Sequence, residues 1–124
     1  VGIVGAISDQ AAVIIDDDFS VHRVWVRRLS EKTLHFTTSR QFVEWWTNQN
    51  EEQRHRHVLL FDYEFRGETE TGLDLIQKFC SSFQSILVTS RYEDLEIRER
   101  CSSRNIPLIP KALVGFVPIK MLSN

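Results

Sequence analysis

No stretch of this 124-residue chain is long and apolar enough to span a bilayer. Its longest apolar runs, such as Ala11 to Ile15 and Val58 to Phe61, fall far short of the roughly 20 residues that a crossing helix needs. A soluble domain without membrane contact of its own is therefore expected. Cysteine is scarce: Cys80 and Cys101 form neither a C-x-x-C pair nor a dense framework, which reads as two reduced thiols of a cytoplasmic protein rather than a disulfide scaffold. Neither sign of charge dominates. With 17 acids against 15 bases and a formal net charge of −2, the chain has no general electrostatic reason to hold nucleic acid or an anionic membrane, so any DNA contact would belong to another domain. Internal repeats and low-complexity tracts are missing, and Val1 to Gln10 lacks the charged start and cleavage pattern of a signal peptide. Residues 1–10 are expected to be a linker or N-terminal extension, and residues 11–124 a single domain of ordinary size.

What is present is a series of short β-rich runs, each followed by a helical pattern. Ala12 to Ile15 is continuous and apolar, as suits a strand covered on both faces. It stops at three aspartates. From Ser20 to Ser30, Val21, Val24, Trp25 and Leu29 recur at helical intervals, with Asp18 or Ser20 as cap. Thr33 to Thr37 predicts a second strand, followed by Ser39 as cap of a helix carrying Phe42, Trp45 and Trp46. The three tryptophans read as helix-face packing, with one of the adjacent pair leaning toward its helix edge. His57 to Phe61 predicts a third strand ending at Asp62, before a polar loop and a helix from Gly72 to Phe83 with Leu73, Ile76 and Phe79 or Cys80 inward. Ser85 to Val88 predicts the fourth strand. Arg91 to Ser103 then predicts a charged helix with a thin stripe of Tyr92 and Leu95, and Ile106 to Ile109, flanked by prolines, a fifth strand at a sheet edge. Ala112 to Met121 should be a last helix, short or broken because it contains Gly115 and Pro118. Strands alternating with helices predict an α/β fold with a doubly wound, five-stranded parallel sheet.

Ligands of open parallel sheets bind beyond the carboxyl ends of the strands, and the polar residues collect there. The first strand ends in Asp16, Asp17 and Asp18, the third in Asp62, the fourth in Thr89 and Ser90, and the fifth is followed by Lys111. Carboxylates crowded together repel one another, and a hard divalent cation with oxygen ligands relieves the repulsion. Mg²⁺ suits this set, since it takes one or two carboxylates and leaves positions for phosphate oxygens, so Asp62 is expected to act as nucleophile toward phosphorus. Thr89 would donate its hydroxyl to a phosphoryl oxygen and Lys111 would pair with carboxylate and phosphoryl group, while Glu64 would offer the metal its backbone carbonyl. Strand termination favours Asp16 with Asp17 as the metal-binding acid pair, with Asp17 and Asp18 as the alternative. His22, His35, His55 and His57 share no metal spacing.

In this order, VIIDDD, LLFDYE with GLDLI, ILVTS and IPK resemble the receiver domains of two-component response regulators and hybrid histidine kinases over roughly residues 12–117. The resemblance implies a flavodoxin-like (CheY-like) fold with strand order 2-1-3-4-5, an order that general accounts of doubly wound sheets already illustrate with CheY. It implies a domain that accepts a phosphoryl group from a phosphohistidine and later loses it. The donor would be a histidine kinase or a histidine phosphotransfer domain. A homodimer and a place within a hybrid sensor histidine kinase are further expectations. Three departures stand out: Ala112 where the family usually has proline, Leu108 where an aromatic switch residue is common, and a long acidic loop from Tyr63 to Thr71. Two rival readings are a phosphatase of the haloacid-dehalogenase class, from Asp16-Asp17-Asp18-Phe19-Ser20, and a receiver fold serving only as an interaction scaffold. The phosphatase needs further acids beyond the lysine, and the residues after Lys111 contain no Asp or Glu.

Overall fold

Each β-branched run becomes a strand, and the five lie side by side in one parallel sheet. The protein is described from a computed structural model, covering residues 2–3, 11–29, 33–114 and 120–121. In chain order the sheet strands are β2 (Ala11–Ile15), β3 (Thr33–Phe36), β4 (His57–Asp62), β5 (Ser85–Thr89) and β6 (Leu108–Pro110). They are arranged β3-β2-β4-β5-β6, which is 2-1-3-4-5 when this sheet's own strands are counted. A separate parallel pair joins β1 (Gly2–Ile3) to β7 (Lys120–Met121). The helices are α1 (Phe19–Leu29), α2 (Ser39–Thr47), α3 (Glu51–His55), α4 (Gly72–Phe79) and α5 (Leu95–Ser103), with a 3-10 turn at Lys111–Leu113. Among the described residues no helix is long and apolar enough to cross a membrane.

Alternation along each strand divides the core in two. Ala12, Ile14, Val58, Leu60, Ile86, Val88 and Ile109 face one side, where Val21 and Trp25 of α1 and Val114 cover them. Val13, Ile15, Leu59, Phe61 and Leu87 face the other, beneath Phe42 and Trp46 of α2, Leu73, Leu75 and Ile76 of α4, and Ile97 and Cys101 of α5. Burial on both faces is why these strands carry no polar alternation. Trp25 and Trp46 are core residues; Trp45 is half-buried and sets its ring edge-on to His57 at 5.0 Å, the outward lean expected of one member of the pair. Cys80 and Cys101 are free and buried, and burial pushes the Cys80 thiol up to about 12.

Several sequence-based boundaries shift for local reasons. The cap of α2 is Thr38, whose hydroxyl accepts the Gln41 N–H at 3.2 Å, and Ser39 is the first helical residue. The polar stretch Asn48 to Arg56, which carries no apolar periodicity, holds α3, started by a capping box between Asn50 and Gln53. Helix α4 stops at Phe79, short of Phe83, and Leu75 joins its inner face. The expected stripe of Tyr92 and Leu95 on α5 is incorrect. Asp94 caps that helix through Glu96 N at 3.0 Å, so Leu95 enters the first turn pointing outward, 70% exposed, and Ile97 with Cys101 pack inward. The same helix ends where Asn105 takes a left-handed φ of 55° and Ile106 N–H reaches back to the Cys101 carbonyl at 2.9 Å. Of the helix expected over Ala112 to Met121, the described residues show a 3-10 turn at Lys111–Leu113 and a strand at Lys120–Met121; residues 115–119 lie outside the described residues.

Candidate functional site

The carboxyl ends of β2, β4 and β5, together with the residue after β6, converge on a cleft of about 400 Å³ lined by Asp17, Asp62, Glu64, Thr89, Ser90 and Lys111, among others. Parallel pairing sets this convergence, because registers Ile15↔Phe61, Asp62↔Val88 and Thr89↔Pro110 bring the strand tips level. Carboxylate oxygens of Asp16, Asp17 and Asp62 lie within 4.8 Å of one another. Lys111 Nζ sits 3.2 Å from Asp62 Oδ2 and 3.4 Å from Asp16 Oδ1. All three acids, the hydroxyl of Thr89 and the ammonium therefore share one end of the sheet.

Burial dominates the electrostatics. Desolvation raises the Asp16 carboxyl above its usual range, against the lowering pull of the Asp18 N–H and of Lys111. Asp62 is pushed up to about 7, first by burial and then by the charge of Asp16. For Lys111 burial pulls the ammonium down, but Asp16 and Asp62 outweigh it and its pKa is raised. Two buried acids beside one cation leave an excess of negative charge, and the donors are all hard oxygens. That composition fits a divalent ion such as Mg²⁺.

The three adjacent aspartates have separate surroundings. Asp16 is buried, with Oδ1 accepting the Asp18 N–H at 2.9 Å; Asp17 lines the cleft, and its Oδ2 accepts the Arg66 N–H at 2.9 Å. Asp18 turns to α1: its Oδ1 accepts the Ser20 N–H at 2.9 Å and the Ser20 hydroxyl at 2.6 Å, bonds that lower its pKa. Asp18→Ala is accordingly expected to cost about 1 kcal/mol of stability in thermal unfolding while leaving metal binding in place, as helix caps do. A loss of metal binding in that variant would return the acid pair to Asp17 and Asp18.

Thr89 is buried, and its hydroxyl oxygen accepts the Arg91 N–H at 2.9 Å, so its proton is left to donate elsewhere. The Glu64 carboxylate pairs with the Arg91 guanidinium rather than with the acid cluster. Other residues that shape the site carry weaker sequence signals. Phe65, buried at 4% exposure, pins the loop after β4. Gly72 packs on the Asp62 backbone so closely that a Cβ would lie 1.8 Å from the Asp62 carbonyl oxygen. His22 joins Asp16 O to His35: its Nε2 is 2.7 Å from that carbonyl and its Nδ1 is 2.7 Å from His35 Nδ1. Two of the four histidines thus meet across α1 and β3 despite having no spacing motif.

No family model and no curated protein matches the sequence. Solved structures do match. The response regulator DrrB of Thermotoga maritima, an OmpR/PhoB homolog, superposes with a TM-score of 0.61 at 18% identity, over 82% of this chain and 45% of its own. The RcsB response regulator of Salmonella typhimurium, studied for conformational dynamism in DNA interaction, gives 0.65 at 17% identity, over 89% of this chain and 56% of its own. This chain thus spans about half the length of either. Strand order, the helices on both faces and these superpositions agree that the chain has the fold of a response-regulator receiver domain.

Proposed function

We propose that the chain, with residues 1–10 as an N-terminal extension, is a phospho-acceptor receiver that takes a phosphoryl group onto Asp62 from a phosphohistidine. The donor is a histidine kinase or a histidine phosphotransfer domain. The observation that carries this reading is the contact of Lys111 Nζ with both Asp62 and Asp16, at 3.2 and 3.4 Å, beside a third carboxylate in one cleft. Asp16, Asp17 and Asp62, with the carbonyl of Glu64, would hold Mg²⁺, which when bound supplies positive charge against the carboxylates and the incoming phosphoryl oxygens.

The chain's own groups account for the rest. A carboxylate oxygen of Asp62 attacks phosphorus, the phosphorus–nitrogen bond of the donor breaks, and its electron pair returns to the imidazole. Lys111, already paired with Asp62, neutralises charge on the acceptor and then on the acyl phosphate. The Thr89 hydroxyl, oriented by the Arg91 N–H on its oxygen, donates to a phosphoryl oxygen. Burial of Asp62 excludes bulk water from the attacking oxygen.

Incubation with Mg²⁺ and acetyl phosphate should add one phosphoryl group per chain by intact-mass measurement, with Asp62 as the modified residue on peptide mapping. Asp62→Asn should take up none. Uptake that persists in Asp62→Asn, or that proceeds equally after chelation of Mg²⁺, would refute the assignment.

A further inference from the structure

The register of β2 with both neighbouring strands ends at Ile15, so the carbonyl of Asp16, in a residue only 2% exposed, needs a donor from outside the sheet. His22 supplies it. It is the fourth residue of α1, and a helical side chain leans back toward the helix start, which brings its Nε2 to 2.7 Å from the Asp16 carbonyl oxygen. A carbonyl has no proton to give, so this nitrogen carries the hydrogen and donates it. In the neutral ring Nδ1 is then an acceptor, and His35 Nδ1, 2.7 Å away, must be the donor. That leaves His35 Nε2 to accept from the Thr33 hydroxyl at 2.9 Å. The sheet supports this chain of bonds: Thr33 and His35 are two apart on β3 and share a face, and the pairing of His35 with Ile14 puts that face on the α1 side.

The carbonyl held in this way belongs to the peptide group between Asp16 and Asp17. That group is planar, so fixing its oxygen fixes ψ of Asp16 and φ of Asp17 together, and two of the three clustered carboxylates hang from its ends. On the other side the Asp16 N–H donates to the Phe36 carbonyl at 3.0 Å, so Asp16 is held through both of its peptide groups. We propose that His22 is a positioning residue for the acid cluster, aiming Asp16 and Asp17 through their shared peptide, and that His35 with Thr33 holds it in the tautomer that does so. The inference rests on the metal-binding reading above and adds the groups that keep the ligands in place. A ligand set whose backbone is fixed before the ion arrives loses less freedom on binding, so the quantity at stake is affinity for the cation.

The test uses the whole chain with Mg²⁺ as the probe, by calorimetric titration, beside thermal melts in metal-free buffer. His22→Asn places an amide near the former Nδ1, too short to reach the Asp16 carbonyl, and should weaken Mg²⁺ binding about tenfold. His22→Gln carries its amide nitrogen about as far as Nε2 and should stay within about threefold of the wild type. His35→Ala frees the other tautomer of His22 and should fall between them. In the wild type at about pH 8, where an ordinary histidine is neutral, long-range proton–nitrogen spectra of the imidazoles should show His22 protonated at Nε2 and His35 at Nδ1. That spectrum decides the tautomers whether or not a variant folds. His22 protonated at Nδ1, equal affinities in His22→Asn and His22→Gln, or melting temperatures that fall with affinity unchanged would each overturn the proposal. A wild-type chain that binds no Mg²⁺ fails at the first titration, and removes the metal-binding reading together with this one.

Discussion

Gly72→Ala is expected to lower the melting temperature by roughly 10 °C. A Cβ at this position would stand 1.8 Å from the Asp62 carbonyl oxygen, 2.9 Å from its carbon and 3.2 Å from Phe61 Cβ. The first two neighbours are backbone, and no rotamer change relieves the overlap. Helix α4 and the tip of β4 must separate, breaking the 2.7 Å bond from Gly72 N–H to the Tyr63 carbonyl and straining the pairing of Asp62 with Val88. Overpacking of this kind costs about 3 kcal/mol, more than alanine's helix propensity returns. The same displacement moves the carboxylate of Asp62, the proposed acceptor, so phosphoryl uptake should fall at least about tenfold even at temperatures where the variant remains folded. Gly67→Ala is the contrast. Nothing lies within 4 Å of a Cβ there, and only its φ of +74° opposes the change, a cost of about 1 kcal/mol. Thermal melts of the two variants within 2 °C of each other, taking that as roughly the resolution of a small stability change, would show that contact with Asp62 does not distinguish the glycines.

That glycine also marks where reading the sequence stops. The strands were legible because burial on both faces leaves continuous apolar runs, and AAVII, HVLLF and SILV end where the chain turns polar. The acids at those endings were legible for the same reason, since a strand tip in a parallel sheet is where such residues meet. The order of the strands came from the resemblance and not from periodicity. What stayed hidden depends on distance rather than pattern. Gly72 opens α4 like an ordinary small residue at a helix start, and only the approach of Asp62 makes it irreplaceable. Helix α3 is polar on every side, so no apolar stripe announces it; the signal was the capping pair of Asn50 and Gln53. In α5 both Leu95 and Ile97 are apolar, and the start set by Asp94 decides which of them faces the core. The meeting of His22 with His35 depends on the pairing of β2 with β3, which a linear spacing does not encode.

Without Mg²⁺, stability should fall as pH rises from about 4 to 7, the reverse of the usual behaviour of a paired carboxylate. The Asp62 pKa is raised from 3.8 to about 7 on folding, by burial first and the neighbouring Asp16 charge second. Between those values the native state binds the Asp62 proton and the unfolded state does not, so deprotonation works against the fold across this window and its cost is complete above pH 7. At about 1.4 kcal/mol per unit, the full cost is on the order of 4 kcal/mol. Asp16, also raised, acts in the same direction. Lys111 is raised from 10.5, so the stability it contributes is present throughout this window and is lost only at higher pH. Asp62→Asn removes the charge while keeping the shape, and Lys111 keeps Asp16 as partner at 3.4 Å. In metal-free buffer at pH 8 the variant should therefore be more stable than the wild type by a few kcal/mol in urea titrations, and the two should converge near pH 4. Saturating Mg²⁺ should narrow the gap, because an ion bound only by the folded acids stabilises the wild type more than the variant. A wild-type stability that climbs between pH 4 and 7 without metal, or an Asp62→Asn chain no more stable than the wild type at pH 8, would mean that the crowded carboxylates do not strain the fold. The electrostatic ground for proposing a cation among them would then disappear as well.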